Sequence, residues 1–420
     1  MKIALIRNSN QKKIYQELSN NATAIEPPYW MMIREQLLIK EKNVVGIIDN
    51  EIENLSTEQI IEWLEQNKIE KVEIFPTGNH PSAFIQHRYG IEEFANEIKK
   101  YIPDTTIKFA LDFLPTDVKA CWSSFDLQKY RAHNWHCNWN LLERKPYGVL
   151  CTSIGCPFNC SFCTIKTFYN TKYYERPLDI IFREIDDFVN LNVKNIKVLD
   201  ELFFYKKDRV ESICNYIISN GYDFNIWAYA RIDTVSCDLL PILKKAGFNW
   251  LAIGIESGNE NIRKTAMKGK FTNKNIRSIV SSIKDNGIYV GGNFIFGFTD
   301  DDINTMTETR EFARKLQCEF NNLYAMMAYP GSKLYQFAID NGWALPDTWA
   351  SYSQYSYECH PIRTNYLTSA QVLKFRDEAF LSIYEDKNYQ EHIKKSFGYS
   401  AVEEIQNILK IKLRRKLLEV

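Results

Sequence analysis

Glycine is scarce at the start of this chain: only Gly46, Gly78 and Gly90 precede Gly148, and no G-x-G-x-x-G follows the first apolar run. That absence argues against a dinucleotide site, whose backbone turn needs closely spaced glycines. Net charge is absent as well, since 52 lysines and arginines balance 52 aspartates and glutamates. No overall field therefore draws in nucleic acid or an anionic membrane, and neither is expected as a partner. No stretch approaches the roughly 20 apolar residues of a membrane span. The opening MKIALIRNSNQKK lacks the length and cleavage site of a secretory signal, so a reducing cytoplasm is the expected compartment. Ten cysteines in such a chain point to metal or catalysis rather than disulfides.

What is present is a folded-enzyme composition, 45% hydrophobic and 14% aromatic over 420 residues, long enough for two or three packed units. Up to residue 115, Lys2–Ile6, Val44–Ile48, Val72–Phe75 and Ile107–Phe113 read as strands. Tyr29–Lys40, Thr57–Gln66 and Ile91–Tyr101 read as helices between them. This alternation predicts a Rossmann-like parallel sheet domain within an α/β chain. An aromatic linker follows over 116–146, containing YRAHNWHCNWN; its His133, His136 and Cys137 are either packed groups or, less commonly for such a bridge, metal ligands.

From 147 to 345 six further strand-helix units are expected: Gly148–Thr152, Ile196–Leu199, Phe224–Ala230, Trp250–Ile255, Tyr289–Gly297 and Asn322–Tyr329, separated by helical periods. Six such units predict a partial (β/α)6 barrel, and 346–420 reads as a mainly helical cap. Sites in such barrels lie at the carboxyl ends of the strands. That is where GCPFNCSFC falls.

Cys156, Cys160 and Cys163 form C-x3-C-x2-C. A cubane cluster ordinarily takes four thiolates, so three leave one iron open to a ligand. This pattern after the first barrel strand resembles the radical S-adenosylmethionine (SAM) superfamily. The resemblance implies a [4Fe-4S] cluster whose open iron is chelated by SAM, and reductive cleavage of SAM to a 5′-deoxyadenosyl radical that abstracts hydrogen from a substrate. Downstream motifs resemble the family in order. LDELFF is similar to its acidic motif, implying that Glu201, or failing it Asp200, takes the ammonium of SAM. WAYARID implies that Arg231 faces the carboxylate of SAM. GIESGN places Glu256 and Ser257 beside its ribose and amino acid part, and GNFIFGF resembles the adenine-side strand carrying Asn293. Phe162 matches an aromatic stacked near adenine. The usual Pro-Gly-Glu is replaced by Thr299, Asp300 and Asp301.

AYPGSKLY and the EPPYW helix start resemble the subclass with an N-terminal cobalamin-binding-type domain. The residues after the first strand, Arg7 to Gln11, include no Asp-x-His-x-x-Gly, so cobalamin binding stays open. With cobalamin the resemblance implies methyl transfer; without it, dehydration, deoxygenation or epimerisation. A small-molecule substrate of carbohydrate-like character is suggested by Tyr352, Tyr355, Tyr357, Glu358, His360 and Arg363 in the cap. A low-potential donor such as flavodoxin or ferredoxin would supply electrons. Cys359 is a candidate hydrogen-atom donor. The tail KIKLRRKLLEV reads as a solvated terminal helix. The competing classes are a non-catalytic iron-sulfur carrier and a zinc-stabilised binding module, and neither needs the Glu201, Arg231 and Glu256 set.

Overall fold

The computed structural model describes residues 1–88, 90–109, 117–169 and 172–419. Two parallel sheets organise it. The first has strand order β2-β1-β3-β4, with β1 at Lys2–Arg7, β2 at Val44–Asp49, β3 at Lys71–Phe75 and β4 at Thr105–Ile107. The strand expected at Ile107–Phe113 is thus seen earlier, as Thr105–Ile107; positions 110–113 of that expectation lie outside the described residues.

Period-two alternation divides the faces of this sheet. Ala4 and Ile6 pack with Ile48, Val72 and Ile74 under the helices Thr57–Gln66 and Ile91–Lys99. Ile3 and Leu5 face the other way, into a core shared with the helix Tyr29–Lys40 and the second sheet. The helix Thr57–Gln66 begins where the Ser56 side chain and Gln59 form a reciprocal capping box. Tyr29–Lys40 is started differently, across the fold. Asn79 Oδ1 accepts the Tyr29 N–H at 3.1 Å, its Nδ2 donates to Glu26 and the Pro27 carbonyl, and its own carbonyl accepts from Trp30 Nε1.

The second sheet has six parallel strands in the order β12-β11-β10-β9-β8-β5, each next to its neighbour in sequence except for an intervening hairpin. The strands are β5 Tyr147–Leu150, β8 Asn195–Val198, β9 Asn225–Arg231, β10 Phe248–Glu256, β11 Tyr289–Phe296 and β12 Phe320–Ala325. The hairpin is β6 Ser153–Gly155 paired antiparallel with β7 Tyr173–Glu175. Crossover helices Leu178–Asn190, Lys207–Ser219, Leu240–Lys245, Asn273–Asp285 and Ile303–Leu316 complete the six expected units.

Strand pairing fixes which side chains share the concave face. Lys197 pairs with Trp227, Tyr229 with Ala252, Arg231 with Gly254, Gly254 with Asn293, Asn293 with Asn322, and Ile295 with Tyr324. The convex face carries Ile196, Val198, Ile226, Ala228, Leu251, Ile253, Val290 and Leu323, all within the main core.

A partial barrel leaves two sheet edges, which must be covered to avoid open pairing. On β12, Tyr384 Oη donates to the Asn321 carbonyl at 2.7 Å and accepts its N–H at 3.0 Å, while Gln354 does the same at Ala325 at 2.8 and 3.1 Å. Arg376 adds a bond to the Leu323 carbonyl at 2.7 Å. The helices Ser369–Tyr384, Lys387–Phe397 and Tyr399–Leu409 form the helical C-terminal part.

The linker turns out to plug the barrel floor. Trp135 stacks on Phe320 at 5.1 Å and meets Trp227 and Trp250 edge-on at 5.2 and 5.0 Å. His136 Nε2 donates to the Asn225 carbonyl at 2.9 Å, and Cys137 is buried with its thiol pushed up to about 12 by desolvation. These are packing roles, not those of metal ligands. Nor is the tail a solvated helix: Arg415 is buried, bonded to Asp377 and to the carbonyls of Gln354 and Ser356, and only Lys416–Leu418 forms a helical turn. No helix among the described residues is long and apolar enough to cross a membrane.

Candidate active site

The thiol loop leaves β5 and is pinned at each end by backbone geometry. Gly155 has φ +91°, and a Cβ there would sit 2.2 Å from the Lys172 carbonyl oxygen, so only glycine closes the β6–β7 hairpin beneath the loop. Asp200, fully buried after β8, accepts the Thr152 N–H at 2.7 Å and the Thr152 hydroxyl at 2.6 Å, and also the Ser153 hydroxyl. It is thus a clamp on the loop's first turn. Burial pushes the carboxyl of Glu201 up to about 8, opposed by the Gly155 N–H it accepts at 2.9 Å.

On the far side, the Ser161 N–H bonds to the Ala266 carbonyl at 3.1 Å and the Leu334 N–H to the Ser161 carbonyl at 2.9 Å. Thr167 Oγ1 donates to the Gly331 carbonyl at 2.6 Å, tying the Tyr-Pro-Gly-Ser segment to the same loop. Phe162 meets Phe298 edge-on at 5.5 Å in a cleft shared with Ile262 and Leu334. Asp301 stands where the family has a glutamate and accepts the Gly297 and Phe298 N–H groups at 3.0 and 2.9 Å, folding the turn after β11.

The three thiols are half-buried and near enough to influence one another. Burial pushes Cys163 up to about 12, and the neighbouring Cys160 and Cys156 add to it. Cations answer them. Arg231 Nη1 donates to Cys160 Sγ at 3.3 Å while its other nitrogens hold Asp233 at 2.7 and 3.0 Å, and its guanidinium lies 3.9 Å over the Phe158 ring. Arg231 also donates to the Lys268 carbonyl, and Lys268 Nζ grips Glu256 at 2.7 Å.

Glu256 has φ +69° at a register shift in β10, a backbone strain that non-glycine residues rarely keep outside functional sites. Gly254 makes room for it: a Cβ there would meet Glu256 Oε1 at 2.6 Å and Lys268 Nζ at 2.8 Å. Lys268 and Phe158 were not singled out from sequence. Lys268 lies in AMKGK, a stretch that looks like any solvated turn until the fold buries it.

Three other expected residues have protein partners instead. Ser257 is fully buried, bonded to Thr309 Oγ1 at 3.0 Å and to the Asn259 N–H at 3.1 Å, so it fastens β10 to the helix Ile303–Leu316. Asn293 donates to the Ile253 carbonyl at 3.2 Å and accepts from Asn322 at 2.9 Å. Cys359 requires a correction as a hydrogen donor. It is fully buried with Met327 and Leu373 in a small apolar cluster, and burial pushes its thiol up to about 11. The cap residues do not converge either: Tyr357 bonds Glu419, Glu358 accepts from Thr348, and Arg363 lies over Trp343. Tyr355 alone among those six stacks on an N-terminal residue, Tyr15, at 5.6 Å.

Among the described residues no three His, Cys, Asp or Glu side chains are placed to hold a single metal ion. The donor set suits a multi-iron cluster: three thiols on one loop, faced by Arg231 and Lys268, which offset the negative charge that thiolate ligation brings. Residues 150–313 match the family model of the radical SAM superfamily. That stretch carries a radical SAM domain.

A [4Fe-4S] cluster and SAM are the cofactors of a radical SAM domain. The chain is 29% identical over 57% of its length to an uncharacterized methyltransferase of Pyrococcus horikoshii, covering 51% of that protein. It is 25% identical over 49% of its length to the bacteriochlorophyllide d C-12(1)-methyltransferase of Chlorobaculum tepidum, covering 45%. The chain thus spans about half the length of these curated relatives. Its fold is similar to that of the radical SAM methyltransferase TsrM of Kitasatospora setae, solved with cobalamin and a [4Fe-4S] cluster. That likeness has a TM-score of 0.66 at 12% identity, over 94% of this chain and 99% of that one.

Proposed function

We propose that this radical SAM enzyme is a cobalamin-dependent methyltransferase acting on a small metabolite. The observation that carries the reading is a cleft at the carboxyl edge of the first sheet. In the order β2-β1-β3-β4 successive strands are added on opposite sides of β1, so the strand order switches between β1 and β3, the position at which open parallel sheets take ligands. A cleft lies there, lined by Arg7 from β1, Phe75, Pro76, Gly78 and Asn79 at the end of β3, Trp30, Phe84, Lys108 and Phe109. Phe84 in turn meets Phe168 edge-on at 6.5 Å, and Phe168 belongs to the helix just after Cys163. The cleft therefore borders the thiol loop. The methyltransferase names of the relatives and the cobalamin in TsrM support the same reading.

The lining sets the rings of Trp30, Phe84 and Phe109 and the side chain of Lys108 at that edge, groups suited to an apolar ring system with polar substituents. Arg7 to Gln11 include no histidine, so the protein offers no axial imidazole from that loop. When bound, the cluster and SAM would supply a 5′-deoxyadenosyl radical and cobalamin a methyl carrier. Cys156, Cys160 and Cys163 would hold the cluster; Glu201, bonded to the Gly155 N–H beside the thiol loop, would take the ammonium of SAM; Arg231 would sit between a cluster thiolate and Asp233. Lys268 would hold Glu256 toward the same space. The Trp135 plug and the Gln354 and Tyr384 edge caps would keep water from the lumen.

Anaerobic reconstitution with hydroxocobalamin, gel filtration and visible spectroscopy, followed by SAM and a strong reductant, tests the reading. Retained cobalamin together with 5′-deoxyadenosine is expected. Formation of 5′-deoxyadenosine by protein that retains no cobalamin would instead favour radical dehydration, deoxygenation or epimerisation.

A further inference from the structure

The lumen below the thiol loop is lined far more polar than a structural core requires. Lys197, on the concave side of β8, is buried, and its Nζ contacts Glu26 at 2.5 Å from across the gap between the two sheets. The same ammonium lies 5.0 Å over the Trp227 ring and 5.7 Å over that of Tyr229. A buried ion pair is a poor way to stabilise a core, since apolar residues of equal volume serve as well or better.

Around the pair stand aromatic groups with polar tips. His80 packs against Tyr229 at 5.4 Å, and Tyr15 stacks on Tyr355. Among the described residues no hydrogen bond engages the hydroxyls of Tyr229, Tyr324 or Tyr355, although each ring is only partly exposed. Phenol hydroxyls turned into an enclosed space ordinarily have a partner. Lys197 outweighs the effect of burial on Glu26 and holds its carboxyl at about 2, while burial keeps His80 neutral, at about 3. One ammonium is thus balanced by one carboxylate, and the rest of the lining is uncharged.

We propose that this lumen binds a neutral polyhydroxylated ring, a sugar or cyclitol, as the substrate of the methyl transfer proposed above. Aromatic faces at Tyr229 and Tyr324 take the C–H faces of such a ring. The ammonium of Lys197, the carboxylate of Glu26 and the free phenols each give or accept a hydrogen bond from its hydroxyls. Neutrality of the lining favours an uncharged ring over a phosphate or a carboxylate, which would have to displace Glu26. The site is shared: β8, β9 and β12 supply one wall and the segment ahead of Pro27 the other.

Saturation-transfer NMR on the reconstituted holoenzyme tests this. The probes are the methyl α-pyranosides of glucose, galactose and mannose, with myo-inositol, and tetrahydropyran serves as the unhydroxylated control. Transfer to at least one polyol and none to tetrahydropyran is expected. Tyr229→Phe, which removes only a hydroxyl, should weaken that binding about tenfold, the effect of one well-placed hydrogen bond. Lys197→Met should abolish it. Absence of transfer to every polyol, equal transfer to tetrahydropyran, or full binding by folded Tyr229→Phe and Lys197→Met proteins would overturn the proposal. Failure here with 5′-deoxyadenosine still formed leaves the radical methyltransferase reading standing; polyol binding without any SAM cleavage sinks that reading and not this one.

Discussion

The two parallel sheets treat their faces differently. In the four-stranded sheet both sides of β1 are hydrocarbon, Ile3 and Leu5 on one and Ala4 and Ile6 on the other, each covered by helices or by the neighbouring core. In the six-stranded sheet only the convex side is hydrocarbon; the concave side carries Lys197, Tyr229, Arg231, Asn293, Asn322 and Tyr324. A sheet buried on both faces is a scaffold, and its ligands can approach only at the strand ends. A sheet curled into a partial barrel has an interior that packing alone would fill with apolar residues. Here the linker tryptophan fills the floor, which leaves the layers above to polar groups.

Breaking the site rather than the scaffold should have the largest effect. The triple variant Cys156→Ala, Cys160→Ala, Cys163→Ala is expected to lose all cluster iron and the brown absorbance, with its circular dichroism unchanged; iron retained at wild-type level would refute the assignment. Next comes the barrel floor. Trp135→Ala should cost about 3–5 kcal/mol, the usual range for emptying a large aromatic site, read from urea unfolding. A loss near zero would show that the linker does not plug the lumen. Leu5→Ala in the scaffold sheet should cost about 2–5 kcal/mol and leave the cluster's visible spectrum untouched. A spectrum altered by that change would erase the distinction between the two sheets.

Acid should discriminate as well. Burial holds His80 and His136 at about 3 and His87 and His133 at about 4, whereas an unfolded histidine titrates near 6.5. Between roughly pH 6.5 and 4 the unfolded chain therefore binds more protons, so stability should fall on acidification by about 1 kcal/mol per histidine per pH unit. The opposite trend comes from Glu51 and Glu201, raised by burial to about 7 and 8: each weakens the cofactor-free fold as pH rises from the unfolded carboxyl value of about 4.3 to its folded one, two groups against four histidines. A flat profile of unfolding free energy between pH 7 and 5 would show that the histidines are not buried neutral. The smallest effect is expected from Cys359→Ala, about 1 kcal/mol or less for one small apolar contact, with 5′-deoxyadenosine formation unchanged. A collapse of SAM cleavage in that variant would restore the thiol to the chemistry.

Much of this organisation was legible in the residues. Helices with capping boxes, such as Thr57–Gln66 and Asn273–Asp285, carry their boundaries in local sequence, and the structure keeps those ends. The strand after Pro103 begins earlier than expected because the period-two pattern of Ile107, Phe109, Leu111 and Phe113 points to a later start, while pairing with β3 begins at Thr105. Asp200 and Ser257 were read as cofactor groups because their motifs resemble the family's; only the structure reveals that Thr152 and Thr309 already engage them.

By itself the sequence determined the alternation of strands and helices, the three-thiol loop with its open fourth position, and the glycine at 155 that such a loop needs. These are local properties, set by periodicity, spacing and backbone conformation. Tertiary structure alone decided that Lys268 turns back onto Glu256, that Trp135 fills the barrel floor, and that Lys197 finds Glu26 from another part of the chain. The reason is distance along the chain: Glu26 and Lys197 are partners only because two sheets meet, and no period or motif in either segment records the other.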